Sequence, residues 1–132
     1  MKKIVYLLLL LLCATAACNK KKVYPLGFDV TTAKASYAVG DTVNFVFSGN
    51  PDLITFYSGE QGSRYANRND VDSTGTSLTD VGSALKDMTT RMDSYEYVYQ
   101  QPGAYIVTFV AANTTIYGSR TIVKELNLTI MP

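Results

Sequence analysis

The 132-residue sequence contains no histidine, and cysteine occurs only twice, at Cys13 and Cys18. Lack of imidazole excludes Ser-His and Cys-His nucleophile pairs, and two cysteines alone make none of the usual zinc ligand sets. Basic and acidic side chains nearly cancel, at twelve against eleven. The chain therefore carries no electrostatic footprint for nucleic acid, whose binders show a clear basic excess. Long apolar runs are missing too. A membrane-spanning helix takes roughly 20 apolar residues, and the strongly apolar stretch at 4–12 is much shorter. No internal repeat or low-complexity segment follows it, and nothing in the pattern asks for a cofactor.

That apolar stretch has another use. Lys2-Lys3, then Ile4-Val5-Tyr6 and six leucines at 7–12, form a charged n-region and an apolar h-region, the layout of a secretory signal peptide. Thr15-Ala16-Ala17-Cys18 follows and resembles the lipobox of bacterial lipoproteins, with Thr15 in place of the usual leucine. The resemblance implies cleavage before Cys18, acylation of that residue, and attachment to the bacterial outer membrane on its periplasmic or its surface side. An ordinary signal peptide cut at an Ala-x-Ala-like site is the plainer alternative. Leu12 is too bulky a neighbour for Cys13 to be the acceptor. Two or three acyl chains hold a membrane stably where one is marginal.

The expected division is a signal peptide at 1–17, a lipidated tether at 18–27 and one domain at 28–132. Losing Lys2 and Lys3 with the leader leaves ten basic against eleven acidic side chains, a net charge of −1. Lys20-Lys21-Lys22 reads as a solvated part of the tether, near anionic headgroups. With only Cys18 retained, no disulfide staples the fold. The domain must rely on its core, and a chain of this length buries roughly two-thirds of its unfolded surface.

The pattern within the domain is alternation with period two, the mark of half-buried strands. Phe28, Val30 and Thr32 outline a first, edge strand, and Tyr37 and Val39 return to the core ahead of a turn at Gly40. In 42–47, Val43, Phe45 and Phe47 share one face; Ser48-Gly49-Asn50-Pro51-Asp52 breaks the pattern; 53–57 resumes it. These two strands read as a pair folded back on each other at the centre of the domain. Residues 61–77 are rich in Gly, Asn, Asp and hydroxyls, which predicts a long exposed loop, a type that is often functional.

Leu78, Val81, Leu85, Met88 and Met92 recur at spacings of 3, 4, 3 and 4, which predicts a short helix over 78–92, with Ser77 and Asp80 as its cap. An irregular crossover is the alternative, favoured by Gly82 and Thr89-Thr90. Tyr95, Tyr97 and Tyr99 then share a strand face, and 100–103 turns the chain. Tyr105, Val107, Phe109 and Ala111 line the core side of a long strand, with Ile106, Thr108 and Val110 behind. A turn at 113–118 leads into a last strand, 120–130, with Leu126, Leu128 and Ile130 inward and Lys124 at a bulge or rim. About seven short strands at close spacing predict an all-β, Ig-like antiparallel sandwich.

Two segments carry a family resemblance. Tyr97-Val98-Tyr99-Gln100-Gln101-Pro102-Gly103-Ala104-Tyr105-Ile106-Val107-Thr108 resembles the late Y-x-Y-x-x-P-G-x-Y-x-V-T segment of PKD domains, and Tyr37-Ala38-Val39-Gly40-Asp41-Thr42-Val43 resembles their earlier Y-x-V-G-D-x-V turn and strand. Tyr57-Ser58-Gly59-Glu60 stands where PKD domains carry Trp-Asp-x-Gly-Asp-Gly. With Phe47-Ser48-Gly49 and Ile54-Thr55-Phe56 added, the chain is similar to a PKD-like domain of unknown function from Bacteroidota lipoproteins. That resemblance implies a place near polysaccharide-uptake systems.

Functional residues are few. Asp70, Asp72 and Glu60 supply oxygen ligands but lack the spacing of a calcium loop, so no metal is expected. A glycosidase needs two carboxylates across a cleft, for which a sandwich this small has little room, and no enzyme is expected. Tyr57, Arg64, Tyr65 and Arg68, with Glu60, gather in sequence at the start of the long loop. Aromatic rings stack on sugar faces while their hydroxyls hydrogen-bond, and sandwich loops often carry binding residues. The expected function is a lipid-anchored, non-enzymatic module of the cell envelope contacting glycans or proteins of an uptake complex. A structural spacer without a ligand and a fimbrial or adhesin-like subunit joined by strand addition are the alternatives.

Overall fold

The computed structural model describes residues 26–69, 73–76 and 79–132. Eight strands follow in order: β1 (Asp29–Thr31), β2 (Ser36–Ala38), β3 (Thr42–Ser48), β4 (Leu53–Tyr57), β5 (Ser83–Lys86), β6 (Ser94–Val98), β7 (Gly103–Thr115) and β8 (Gly118–Met131). They form a three-stranded sheet, β1-β3-β6, and a five-stranded sheet, β2-β8-β7-β4-β5. This is an Ig-like partition of strands, with β5 added beside β4 and, among the described residues, no strand beyond β6.

Alternation decides which side chains enter the space between the sheets. β3 reads exposed, buried, exposed along its whole length, so Val43, Phe45 and Phe47 face inward. Ile54 and Phe56 of β4 and Val107, Phe109 and Ala111 of β7 face them from the other sheet, all nearly solvent-free. The rings interlock: Phe45 lies 5.0 Å from Phe109 and 5.9 Å from Phe56, centroid to centroid. Phe56 in turn touches Tyr95 and Tyr97. Tilted and edge-on pairs of this kind add about 0.5–1.5 kcal/mol each beyond the area they bury.

Two tyrosine hydrogen bonds, one local and one long-range, close the sandwich. Tyr105 donates its hydroxyl to the Gln101 carbonyl at 2.9 Å, the tyrosine corner by which such folds brace the turn between their sheets. Tyr99, fully buried, donates to the Ser58 carbonyl at 2.8 Å and stacks on Tyr105 at 4.6 Å.

Several expectations are corrected. β3 and β4 are not paired. β3 bonds to β1 and β6, and β4 to β7 and β5, because the segment 49–52, with Gly49 at φ +87° and Pro51, carries the chain across from one sheet to the other and sets the two apolar rows face to face. The helix over 78–92 is absent among the described residues: Ser83–Lys86 is an edge strand on β4, with a bulge between Ile54 and Thr55. Val81 and Met88, two of the five periodic residues, are 69% and 64% exposed, so the spacing marks no buried face. Gly82 lies over β4, where a Cβ would come within 2.5 Å of the Thr55 side chain. Ser77 and Leu78, and Asp70 and Asp72, lie outside the described residues. So do Cys18 and the rest of 1–25.

The layers are also not wholly antiparallel, since β2 pairs with β8 in parallel. The turn expected at 113–118 is tighter: the β7–β8 ladder continues unbroken to Thr115 and Gly118. Lys124 sits without a bulge and reaches Asp29 of the facing sheet at 3.4 Å, so its position is a rim.

Candidate functional site

β4 ends at Tyr57, and the chain after it folds back in a compact turn. Gly59 donates to the Ser63 carbonyl and Ser63 to the Glu60 carbonyl, both at 2.9 Å. The Ser63 hydroxyl accepts from the Ser58 amide at 3.1 Å. Gly59 has φ +83°, and a Cβ there would lie 2.7 Å from the Ile106 carbonyl oxygen. Glycine is needed on both counts, conformational and steric. This contact presses the turn against the backbone of β7 at Ile106. A short 3₁₀ turn, Tyr65–Asn67, follows. It is anchored to the chain ahead of β5 by Val81 donating to the Gly62 carbonyl and by Arg64 donating its amide to Asp80. The exposed loop expected over 61–77 is thus held in its first part, 61–68, by turns and one 3₁₀ segment.

Between this turn and the five-stranded sheet lies an open cleft of about 650 Å³, within the usual size of small-ligand sites. Glu60, Gln61, Arg64 and Tyr65 form its wall. The floor is the outer face of β7, at Ala104, Ile106 and Thr108, with Glu125 of β8 beside Thr108 in the ladder. Gln101 and Tyr105 close the end nearest the β6–β7 turn. Thr108 is 1% exposed, and its hydroxyl lies beneath the floor with no protein hydrogen-bond partner among the described residues.

Of the five residues singled out from sequence, the structure brings Glu60, Arg64 and Tyr65 to the cleft. Tyr57 and Arg68 stand behind Tyr65 as braces. The Tyr57 ring meets it edge-on at 5.3 Å, and the Arg68 guanidinium lies 3.7 Å from the Tyr65 ring centre. Arg68 also donates Nη1 to the Tyr65 carbonyl at 2.8 Å. Cation–π contacts of this kind contribute about 0.5–1 kcal/mol at an exposed site.

Glu60 accepts a hydrogen bond from the Tyr97 hydroxyl, which ties the cleft wall to the aromatic interior. Burial, and then this bond and the carboxylate charge, raise the Tyr97 hydroxyl to about 12. Burial pushes Tyr99 up as well, and more strongly. Among the described residues, Arg64 and Glu125 enter no ion pair.

The contributions of β7 and β8 escape the sequence reading. Strand alternation puts Ile106 and Thr108 behind the core strand and says nothing more of them, and Ile106 stays 57% exposed at the open floor. Periodicity likewise assigns Tyr105 to packing alone. The arrangement combines ring surfaces, amide groups, a guanidinium and two carboxylates over a largely apolar floor. Such a set can hold a ligand with both apolar ring faces and many hydroxyls.

The fold and cleft define a two-sheet β-sandwich with a loop-walled surface site. The chain belongs to the family described as Domain of unknown function (DUF5017), whose family model matches residues 17–98, from beside Cys18 through β6. No curated protein and no solved structure matches the chain.

Proposed function

We propose that the chain is a lipid-anchored, non-enzymatic, PKD-like module of the bacterial outer membrane, held through Cys18, whose cleft contacts glycan. The observation that carries this reading is the braced Tyr65 ring at the cleft, flanked by Arg64, Glu60 and Gln61. A ring fixed on one side by Arg68 and on its flank by Tyr57 loses little freedom when a sugar face stacks on it. The neighbouring charged and amide groups supply directional bonds to hydroxyls. Preorganisation of this kind lowers the entropic cost of binding. The resemblance to PKD-like domains of Bacteroidota lipoproteins supports the same setting.

Glycan arrays followed by affinity gels containing the best polysaccharide test the cleft. Tyr65→Ala is expected to weaken retardation roughly 2–12-fold, the factor that about 0.5–1.5 kcal/mol of ring contact implies. Arg64→Ala should weaken it comparably. A glycan held equally by wild type and both variants removes this site. Failure to bind any glycan redirects the proposal to proteins of the envelope, through pull-down from membranes. Metabolic labelling with a palmitate analogue checks the anchor: wild type takes up label and Cys18→Ala does not.

A further inference from the structure

The two ends of the sandwich differ. The cleft lies at the end where β7 starts, near Gln101 and Ala104. At the opposite end the β7–β8 hairpin outruns its neighbours. β4 stops pairing at Ala112, whereas the hairpin continues through Asn113↔Arg120, Thr114↔Ser119 and Thr115↔Gly118. Three further residue pairs project about 10 Å at the usual rise per residue. Their tip is Ile116 and Tyr117, 89% and 58% exposed, with Arg120 exposed just behind. Met88, 64% exposed, sits in the β5–β6 connection at the same end.

The chain enters the fold at this end too. Asp29 pairs with Ser48, the last residue of β3, and the β3–β4 turn that follows is bonded to the hairpin: Asp52 donates its amide to Asn113 and accepts from the Thr114 amide. Phe28 is ten residues after Cys18, a span of at most about 35 Å when extended. A lipid on Cys18 therefore ties the chain to the bilayer at the hairpin end, which is the end with the shortest path to the surface.

We propose that the Ile116–Tyr117 tip is a second membrane contact, dipping into the headgroup and upper acyl region while the cleft faces away. Tyrosine suits the interface because its ring is apolar and its hydroxyl polar. Isoleucine adds buried apolar area, and Arg120 meets lipid phosphates. A tip projecting about 10 Å matches the depth to which interfacial elements sink. The proposal rests on the Cys18 anchor, and its test reports the two separately.

The sequence has no tryptophan, so Tyr117→Trp places one reporter at the tip and Val98→Trp places one near the cleft end. Each full chain is expressed in a lipoprotein-processing bacterium and labelled with a palmitate analogue. Labelled protein is then reconstituted into phosphatidylethanolamine–phosphatidylglycerol vesicles with or without brominated acyl chains. The expected result is a blue shift and bromolipid quenching for the Tyr117→Trp chain, with neither for the Val98→Trp chain. Adding Ile116→Asp to the tip reporter should abolish the quenching. Labelled protein whose tip indole stays water-exposed overturns the membrane contact and leaves the anchor standing. A blue shift indifferent to bromolipid but dependent on protein concentration assigns the tip to a second copy and overturns it as well. Unlabelled wild-type protein withdraws anchor and contact together.

Discussion

Replacing Gly59 with alanine tests how the cleft wall is held. Two costs arise at this position. The first is conformational: at φ +83° an L-residue pays about 1–2 kcal/mol, offset in part because alanine also restricts the unfolded chain. The second is steric. The new Cβ would stand 2.7 Å from the Ile106 carbonyl oxygen and 3.1 Å from its carbon. Both atoms belong to β7, whose neighbours Tyr105 and Val107 are packed in the core. The strand cannot yield, so the turn must lift, at an overpacking cost of about 1–3 kcal/mol.

Gly62 supplies the control. It has nearly the same φ, +87°, and nothing within 4 Å of its virtual Cβ, so Gly62→Ala carries the first cost without the second. Urea unfolding of both variants, followed by circular dichroism, gives the difference. Gly59→Ala is expected to fall about 1–3 kcal/mol below Gly62→Ala at an unchanged slope. It should also lose glycan retardation, because Glu60, Gln61 and Arg64 move with the turn. Equal stabilities for the two variants would refute the claim that backbone contact with β7 positions the wall.

Other perturbations separate the remaining contributions. Tyr99→Phe leaves the Ser58 carbonyl without its donor and should cost about 1–3 kcal/mol in the same assay, as expected when a buried acceptor is orphaned. Phe45→Ala opens a cavity beside the Phe56 and Phe109 rings and should cost about 3–5 kcal/mol. Val46→Ala, on the exposed face of the same strand, should change stability by less than about 1 kcal/mol. Alkali acts through Tyr97. Its folded pKa of about 12 exceeds the ordinary value of 10.0, so its contribution is full below pH 10 and is lost as pH rises through 12. Tyrosinate absorbance should therefore lag in the folded protein, stability should decline between pH 10 and 12, and Tyr97→Phe should flatten part of that decline.

Much of the fold was legible because strand periodicity is local. The inward rows of β3 and β7 can each be read from a handful of consecutive residues, and both point where alternation says they should. Pairing was not legible in the same way. β3 and β4 are adjacent in sequence and joined by a turn-rich segment, which suits a hairpin and an inter-sheet crossover equally; only the number of apolar rows that must meet in one interior distinguishes them. The false helix has a similar origin. Five apolar residues over 78–92 match a helical spacing, but strand β5 needs only four residues and is specified mainly by the edge that β4 offers. For the cleft, the loop side was visible because Glu60, Arg64 and Tyr65 cluster in sequence. The β7 side was hidden, since Ile106 and Thr108 become the floor of a cleft only when the distant turn at 59–65 folds beside them.

The long hairpin gives these separate features a common frame. β7 carries the cleft floor at Ala104, Ile106 and Thr108, and it ends beside the exposed tip at Ile116. From Ile106 to Thr115 the strand rises through nine residues, about 30 Å, and the partner strand is bonded along the whole of that length. A tether that reaches at most about 35 Å would by itself let the domain turn its cleft in any direction, including toward the lipid. A tip dipping into the bilayer removes that freedom and, with about 10 Å of the hairpin immersed, holds the cleft floor roughly 20 Å above the surface. Cleft affinity for a soluble oligosaccharide should then be the same with or without Ile116→Asp. Capture of a large polysaccharide by membrane-bound protein should fall in that variant, because only the second measurement depends on which way the cleft faces.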